Sequence, residues 1–265
     1  MNENTRLRRH PRLIYVLAGI GLYAVFLIAT APANVMGWML PRLTNNRILL
    51  SQPEGGFWHG KSQALLLKAD SGEVKSIGDV QWDFLFLPLF KLQLAARVEV
   101  FDGRNTSRGI LAAGLGQIHL RQMNAILPIP LITEFNPAWK IWKPTGELKF
   151  NSNQFSIGKS GLRGTAELEW RNASVGLSQV KPLGSYRLHI QDEQKVAKMD
   201  LSTLSGVLQL AGKGEWSKDN GLNFRGTAQA DPSQKAALQD LLRLLGSEQG
   251  NGVYQISISQ KQLKK

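Results

Sequence analysis

From about Leu49 onward, apolar and polar side chains alternate along the chain, the pattern of strands with one dry face and one wet face. The clearest run is Lys91 to Val100, KLQLAARVEV. Leu92, Leu94, Ala96, Val98 and Val100 point one way and Lys91, Gln93, Arg97 and Glu99 the other, before Asp102-Gly103 turns the chain. The alternation recurs in Gly146 to Phe150, Gly164 to Trp170, Ser185 to Ile190, Gly206 to Leu210 and Val253 to Ile258. Short strands of this kind, separated by turn residues at a spacing of roughly 10 to 20, predict an antiparallel all-β domain of about ten to twelve strands.

Two stretches break the alternation with helical spacing. Asp231 can cap a helix with Pro232 at its first position. Leu238, Leu241, Leu242 and Leu245 then form an i, i+3, i+4, i+7 stripe that packs one side against the sheet, and Gly246 is placed to end it. A shorter candidate covers Arg121 to Leu127 and stops at Pro128-Ile129-Pro130. Between Pro128 and Pro144 the chain is rich in proline and aromatic residues, Trp139 and Trp142 among them. This stretch reads as a link between two halves of one sheet rather than between independent domains.

The N-terminal pattern is of another kind. Leu13 to Ala31, LIYVLAGIGLYAVFLIATA, contains no charged side chain and follows Arg6, Arg8, Arg9 and Arg12. At about 1.5 Å per residue it nearly matches a hydrocarbon core of about 30 Å. Continuation through Ala33, Val35, Met36, Trp38 and Met39 would complete a crossing, with Trp38, Arg42 and Arg47 at the interface and Pro41 ending the helix. Basic residues favour the cytoplasmic side, so the remainder would lie across the inner membrane in the periplasm. A cleaved export signal competes, because Ala29-Thr30-Ala31 and Ala31-Pro32-Ala33 are small-residue triplets. The apolar run exceeds the roughly 7 to 15 residues of such signals, however, and Pro32 hinders a protease that needs an extended backbone. The expected organisation is a cytoplasmic tail 1–12, a transmembrane anchor 13–35, a juxtamembrane segment 36–48 and a periplasmic β domain 49–265. The fold class expected is mainly β: a transmembrane helix, then a curved antiparallel sheet with one or two short helices.

The absence of cysteine removes disulfides, thiolate metal sites and thiol nucleophiles, so the exported domain must hold by burial and hydrogen bonding. The net charge of +12 is partly terminal, from the N-terminal arginines and from Lys261, Lys264 and Lys265. What remains is a dispersed basic bias that suits an anionic membrane surface or an acidic partner. Nucleic acid would require a clustered basic face with aromatic platforms, which the sequence lacks.

The residues able to carry chemistry do not assemble a motif. His10, His59, His119 and His189 are scattered, without metal-ligand spacing. No nucleophile elbow, phosphate-binding loop or dinucleotide fingerprint occurs, and Gly55-Gly56 and Gly114-Leu-Gly116 read as turns. Asp79 with Asp83, and Glu167 with Glu169, can share strand faces, where solvated positions are the expectation. No catalytic, cofactor-binding or metal-ligating residue is therefore assigned, and the chain is read as a non-enzyme.

A weak repeat pairs a glycine with a tryptophan further along: Gly60 with Trp82, Gly164 with Trp170, Gly212 with Trp216. Packing is the expected role of these tryptophans. Together with Gly56-Phe-Trp-His-Gly60, Leu87-Pro-Leu89, Pro144-Thr-Gly-Glu-Leu148, Glu169-Trp-Arg-Asn-Ala173, Pro182-Leu-Gly-Ser-Tyr186 and Leu241-Leu-Arg-Leu-Leu-Gly246, this order resembles the type II secretion system protein N family. The resemblance implies an inner-membrane accessory protein of the secretion pathway, acting by contact with other inner-membrane or periplasmic components. A second reading is a lipid-handling module, because a long sheet with one apolar face can leave that face open to acyl chains, and glycine-initiated strands resemble those of bridge-like lipid-transfer and outer-membrane-biogenesis proteins. A third, a hydrolase of envelope polymers, has only location in its favour.

Overall fold

The computed structural model describes residues 11–69, 72–114, 116–130, 137–158, 161–193 and 195–260. Its N-terminal helix, α1, spans Pro11–Ala29. From Tyr15 to Ile28 every described side chain is exposed, including Val16, Leu17, Ile20, Leu22, Val25, Phe26 and Leu27. Among the described residues no helix is long and apolar enough to cross a membrane. The basic residues Arg6, Arg8 and Arg9 and the C-terminal Lys261, Lys264 and Lys265 lie outside the described residues.

The single helix expected to run on through Met39 is broken. Thr30 closes α1 by donating Oγ1–H to the Phe26 carbonyl at 2.8 Å, and Pro32 then bridges to Gly56. A second helix, α2 (Asn34–Leu43), buries Ala33 and Met36 against the sheet instead of extending into lipid. Pro41 lies inside α2, which outlasts it by two residues and ends where Thr44 N and Oγ1 both donate to the Leu40 carbonyl. Arg42 stacks its guanidinium 3.6 Å above the Trp38 ring.

All later strands join one open antiparallel sheet. They are β1 (Ile48–Gly55), β2 (His59–Lys68), β3 (Val74–Leu85), β4 (Leu94–Phe101), β5 (Thr106–Gly114), β6 (Gln117–Pro128) and β7 (Thr145–Gly158). The second half comprises β8 (Gly161–Ser174), β9 (Gly184–Glu193), β10 (Val196–Gly206), β11 (Leu208–Ser217), β12 (Gly221–Ala230), β13 (Ser247–Glu248) and β14 (Val253–Gln260). Spatial order follows chain order except at the end, where β14 lies between β12 and β13. Among the described residues fourteen strands thus stand where ten to twelve were expected. The sheet runs straight through the proline-rich link, because Leu127 faces Leu148 and Pro128 faces Glu147 across β6 and β7. Residues 131–136 of that link lie outside the description.

One sheet face is apolar along its length, and three clusters lie along it. At the N-terminal end, Ala33 and Met36 meet Val80, Trp82, Leu50, Val98 and Val100. At the C-terminal end, the helix α4 (Lys235–Leu245) seats Leu238, Leu241 and Leu242 on Leu208, Ala228 and Tyr254, while the short helix α3 (Pro137–Trp142) adds Trp142. The middle cluster, centred on Phe155, Ala166, Ile190 and Ala197, is built from strand residues alone. The predicted C-terminal helix is therefore present. Asp231 caps a 3-10 turn at its start, accepting from Ser233 N at 2.9 Å.

Two further expectations fail. Arg121 to Leu127 is strand, not helix: Gln122 has φ +48° and lies in a bulge against β5, where Arg108 faces Asn124 but Ile110 faces Arg121, while Leu120 and Ala125 pair with Phe155 and Phe150 across β7. That extra residue gives Leu120, Met123 and Leu127 a spacing that imitates a helical stripe. The strand expected from Lys91 begins at Leu94. Leu92 belongs to a 3-10 turn, Leu87–Lys91, which it caps in the left-handed region at φ +56°, and it is exposed. Val98 and Val100 pack as expected; Leu94 is exposed, and the buried position of β4 is Ala95.

Candidate functional site at the helix–sheet junction

The tight turn Gly56-Phe57-Trp58 between β1 and β2 connects the apolar helix to the sheet. Gly56 N–H donates to the His59 carbonyl at 2.8 Å and closes the turn, so Phe57 and Trp58 project from its tip. Trp58 Nε1–H donates to the Ile28 carbonyl at 2.7 Å, in the last turn of α1, a carbonyl that Ala31 N–H reaches only at 3.4 Å. Phe57 N–H donates to the Ala31 carbonyl at 2.7 Å, and Ala33 N–H to the Gly55 carbonyl at 2.9 Å. Three hydrogen bonds thus bind Ile28 to Ala33 to a turn of the sheet.

Aromatic packing stiffens the socket. Phe57 stacks on Phe84 at 5.3 Å, and Trp58 meets Phe57 and Phe84 edge-on at 5.0 and 5.7 Å. Trp82, buried beneath, donates Nε1–H to the Phe57 carbonyl at 2.9 Å. Gly60 is opposite Trp82 across β2 and β3, and a Cβ there would come within 2.5 Å of the indole. The glycine–tryptophan pairing seen in the sequence is thus, at this position, a matter of room for a ring. Trp170 is likewise tied to structure, donating to the Thr145 carbonyl at 3.0 Å.

The polar face carries the candidate titratable groups. His59 lies opposite Asp83, His189 opposite Glu167 and Asp200, and Asp79 and Asp83 are exposed. His119 Nδ1 lies 2.8 Å from Ser156 Oγ. His10 is outside the described residues. Among the described residues no group of three or more His, Cys, Asp or Glu side chains could hold a metal ion.

Glu169 departs from the expected solvated position. It is 6% exposed and clamped by Arg187 Nη2 at 2.9 Å and Arg171 Nη2 at 2.7 Å. Hydrogen bonds from Arg187 and then Arg171 hold its carboxyl below the usual glutamate range, so it is a fixed anion rather than a proton donor. Arg187 also reaches Glu167 at 3.4 Å. The signal was available: Arg171 follows Glu169 by two on one strand face, and Arg187 sits on the next strand. A cleft of about 730 Å³ on the same face is lined by His189, Lys198, Asp200, Lys213, Glu215 and Arg225. Within it Lys198 pairs with Glu193 at 2.5 Å and Lys213 with Asp200 at 4.0 Å.

Sequence reasoning singled out Gly56 to Gly60 only as a family element; that it grips the apolar helix depends on contacts some thirty residues apart. A family model described as type II secretion system (T2SS), protein N, matches residues 46–257, well over half of the chain. No curated protein and no solved structure matches.

Proposed function

Because the chain belongs to the type II secretion system protein N family, we propose that it is a non-enzymatic accessory component of that machinery, tethered in the inner membrane by its N-terminal helix and acting through a periplasmic β domain. The family supplies the secretion role. The observation that carries the tether is α1, whose exposed side chains are apolar on all sides yet whose end is hydrogen-bonded into the sheet through Trp58. A helix apolar all round is stable only away from water. At about 1.5 Å per residue the 19 residues of α1 measure about 28 Å, and local thinning of the bilayer accommodates the shortfall.

The pairing of Glu169 with Arg171 and Arg187, of Glu193 with Lys198 and of Asp200 with Lys213 supports action by contact rather than chemistry. Tethering raises the effective concentration of the β domain near other anchored components, so weak interfaces suffice. Deleting the gene should reduce export of a folded exoprotein in a strain that depends on this machinery, and a C-terminal tag should be digested by protease added to spheroplasts. Undiminished export, or a protected tag, would overturn the reading.

A second reading is favoured by one observation, the strand-only middle of the apolar face, where Leu111, Ile118 and Ile157 are exposed. Such a face can take acyl chains. Mass spectrometry of the gently purified protein should then find stoichiometric lipid, whereas lipid-free protein would contradict it.

A further inference from the structure

Between β3 and β4 the chain leaves the sheet as Phe86-Leu87-Pro88-Leu89-Phe90-Lys91-Leu92. Pro88 opens a 3-10 turn, and Leu92 N–H closes it on the Leu89 carbonyl at 2.9 Å. The turn is ordered by its own backbone, and its side chains are presented outward: Phe90 is 89% exposed, Leu87 81%, Leu92 77% and Phe86 52%. Four large apolar side chains concentrated on one short loop are not a feature of water-facing connections and mark an interaction site.

Its position identifies the occupant. The Phe86 ring packs 5.2 Å from Trp58, the residue that holds the end of α1 through the Ile28 carbonyl. The exposed loop is therefore continuous, through Trp58, with the exposed apolar surface of α1. A protein partner would be expected to meet a bounded groove, whereas a convex apolar knob beside an apolar helix, carrying one lysine, matches a bilayer surface with headgroups around it. We infer that Phe86 to Leu92 is a second membrane contact, dipping into the leaflet beside α1 and fixing the tilt of the sheet over the membrane; this rests on the tether proposed above. One helix alone leaves a domain free to swivel. Two contacts joined by Trp58 define an orientation.

The chain has no cysteine, so Phe90→Cys, Leu22→Cys on α1 and Leu204→Cys on β10 each place a unique thiol at an exposed apolar position. The full-length variants, labelled with an environment-sensitive nitrobenzoxadiazole probe, are reconstituted into vesicles of phosphatidylethanolamine and phosphatidylglycerol. Lipids carrying a doxyl quencher either near the headgroup or deep in the acyl chain are then included. The inference expects loss of emission at Leu22→Cys with the deep quencher and at Phe90→Cys with the shallow one, and none at Leu204→Cys. Quenching at Leu22→Cys but not at Phe90→Cys would overturn the second contact and leave the tether standing. Quenching at neither would overturn the tether and the inference together. An emission rise at Phe90→Cys that requires added envelope proteins and is insensitive to doxyl lipid would assign the loop to a protein and overturn the inference.

Discussion

At the scale of single residues, burial and pairing decide which side chains matter, and alternation alone does not reveal either. Glu169 loses its proton more readily folded than unfolded, because Arg187 and Arg171 stabilise the carboxylate. Its contribution is therefore complete above the ordinary glutamate value of 4.5 and is lost as pH falls through its depressed native value. Glu169→Gln should destabilise the domain by about 2 kcal/mol at neutral pH, and urea unfolding should show the gap to wild type closing as the solution is acidified. A gap independent of pH would mean the carboxylate charge is not what the arginines recognise. Strand phase makes the second test. Val98→Lys puts a charge against the Trp82 cluster and should cost several kcal/mol, while Leu92→Lys on the exposed turn should fall within about 0.5 kcal/mol of wild type. The alternation from Lys91 predicted equal cost at both. It missed the turn because Leu92, Leu94 and Val98 carry the same period whether or not the chain is hydrogen-bonded to a neighbour, and Pro88 upstream was the only local cue.

At the scale of elements, helix ends and bulges carry the information. The stripe of Leu238, Leu241 and Leu242 and the cap at Asp231 were legible because each depends on neighbours within one helical turn. The bulge at Gln122 was not, since it shows only in the pairing with β5, where Arg108 faces Asn124 but Ile110 faces Arg121. Gly246 illustrates a residue correctly placed for a different reason. It ends α4 in extended backbone, and glycine is required because a Cβ would lie 1.9 Å from the Gln255 carbonyl oxygen. Gly246→Ala should force α4 off β14 and lower thermal stability by more than the about 1 kcal/mol typical of point changes, measured by calorimetry; an unchanged midpoint would show that the two elements move apart freely. At the other end, Trp58→Leu keeps apolar bulk but removes the hydrogen bond to Ile28. Hydrogen exchange should accelerate at the amides of Phe57 and Ala33 while the protection of β8 to β10 stays unchanged. Equal protection throughout would mean Trp58 does not hold the junction.

At the scale of the whole molecule, the class of fold was legible, and so was the reading of Pro128 to Pro144 as a link within one sheet, whereas the register that carries the sheet through it was not. Period-two alternation and turn spacing identify antiparallel strands, but how the strands on either side of Pro128 to Pro144 join depends on the pairing of Leu127 with Leu148. The apolar N-terminus was read as one helix running on through Met39. Its break at Thr30 to Ala33 and the packing of Met36 on the sheet were not legible, because both depend on the Gly56 turn folding back to meet them. The resulting arrangement is a long sheet whose apolar face is closed by a helix cluster at each end, joined to an exposed apolar helix by an aromatic socket. It has the parts of a positioned contact surface, and its titratable groups are paired or scattered. The central claim is accordingly that the tether matters and no single titratable side chain does. Its most direct measurement is export of a folded exoprotein by a strain lacking the chromosomal copy, complemented at matched abundance. The variants are His59→Ala, His119→Ala, His189→Ala, Asp79→Ala and Asp83→Ala, and a chain whose residues 1–30 are replaced by a cleavable export signal. The account predicts near-normal export with each alanine variant and impaired export with the released domain at native levels, partly recovered on overexpression. Abolished export from one alanine variant that remains folded, or full export from the released domain at native levels, would contradict it.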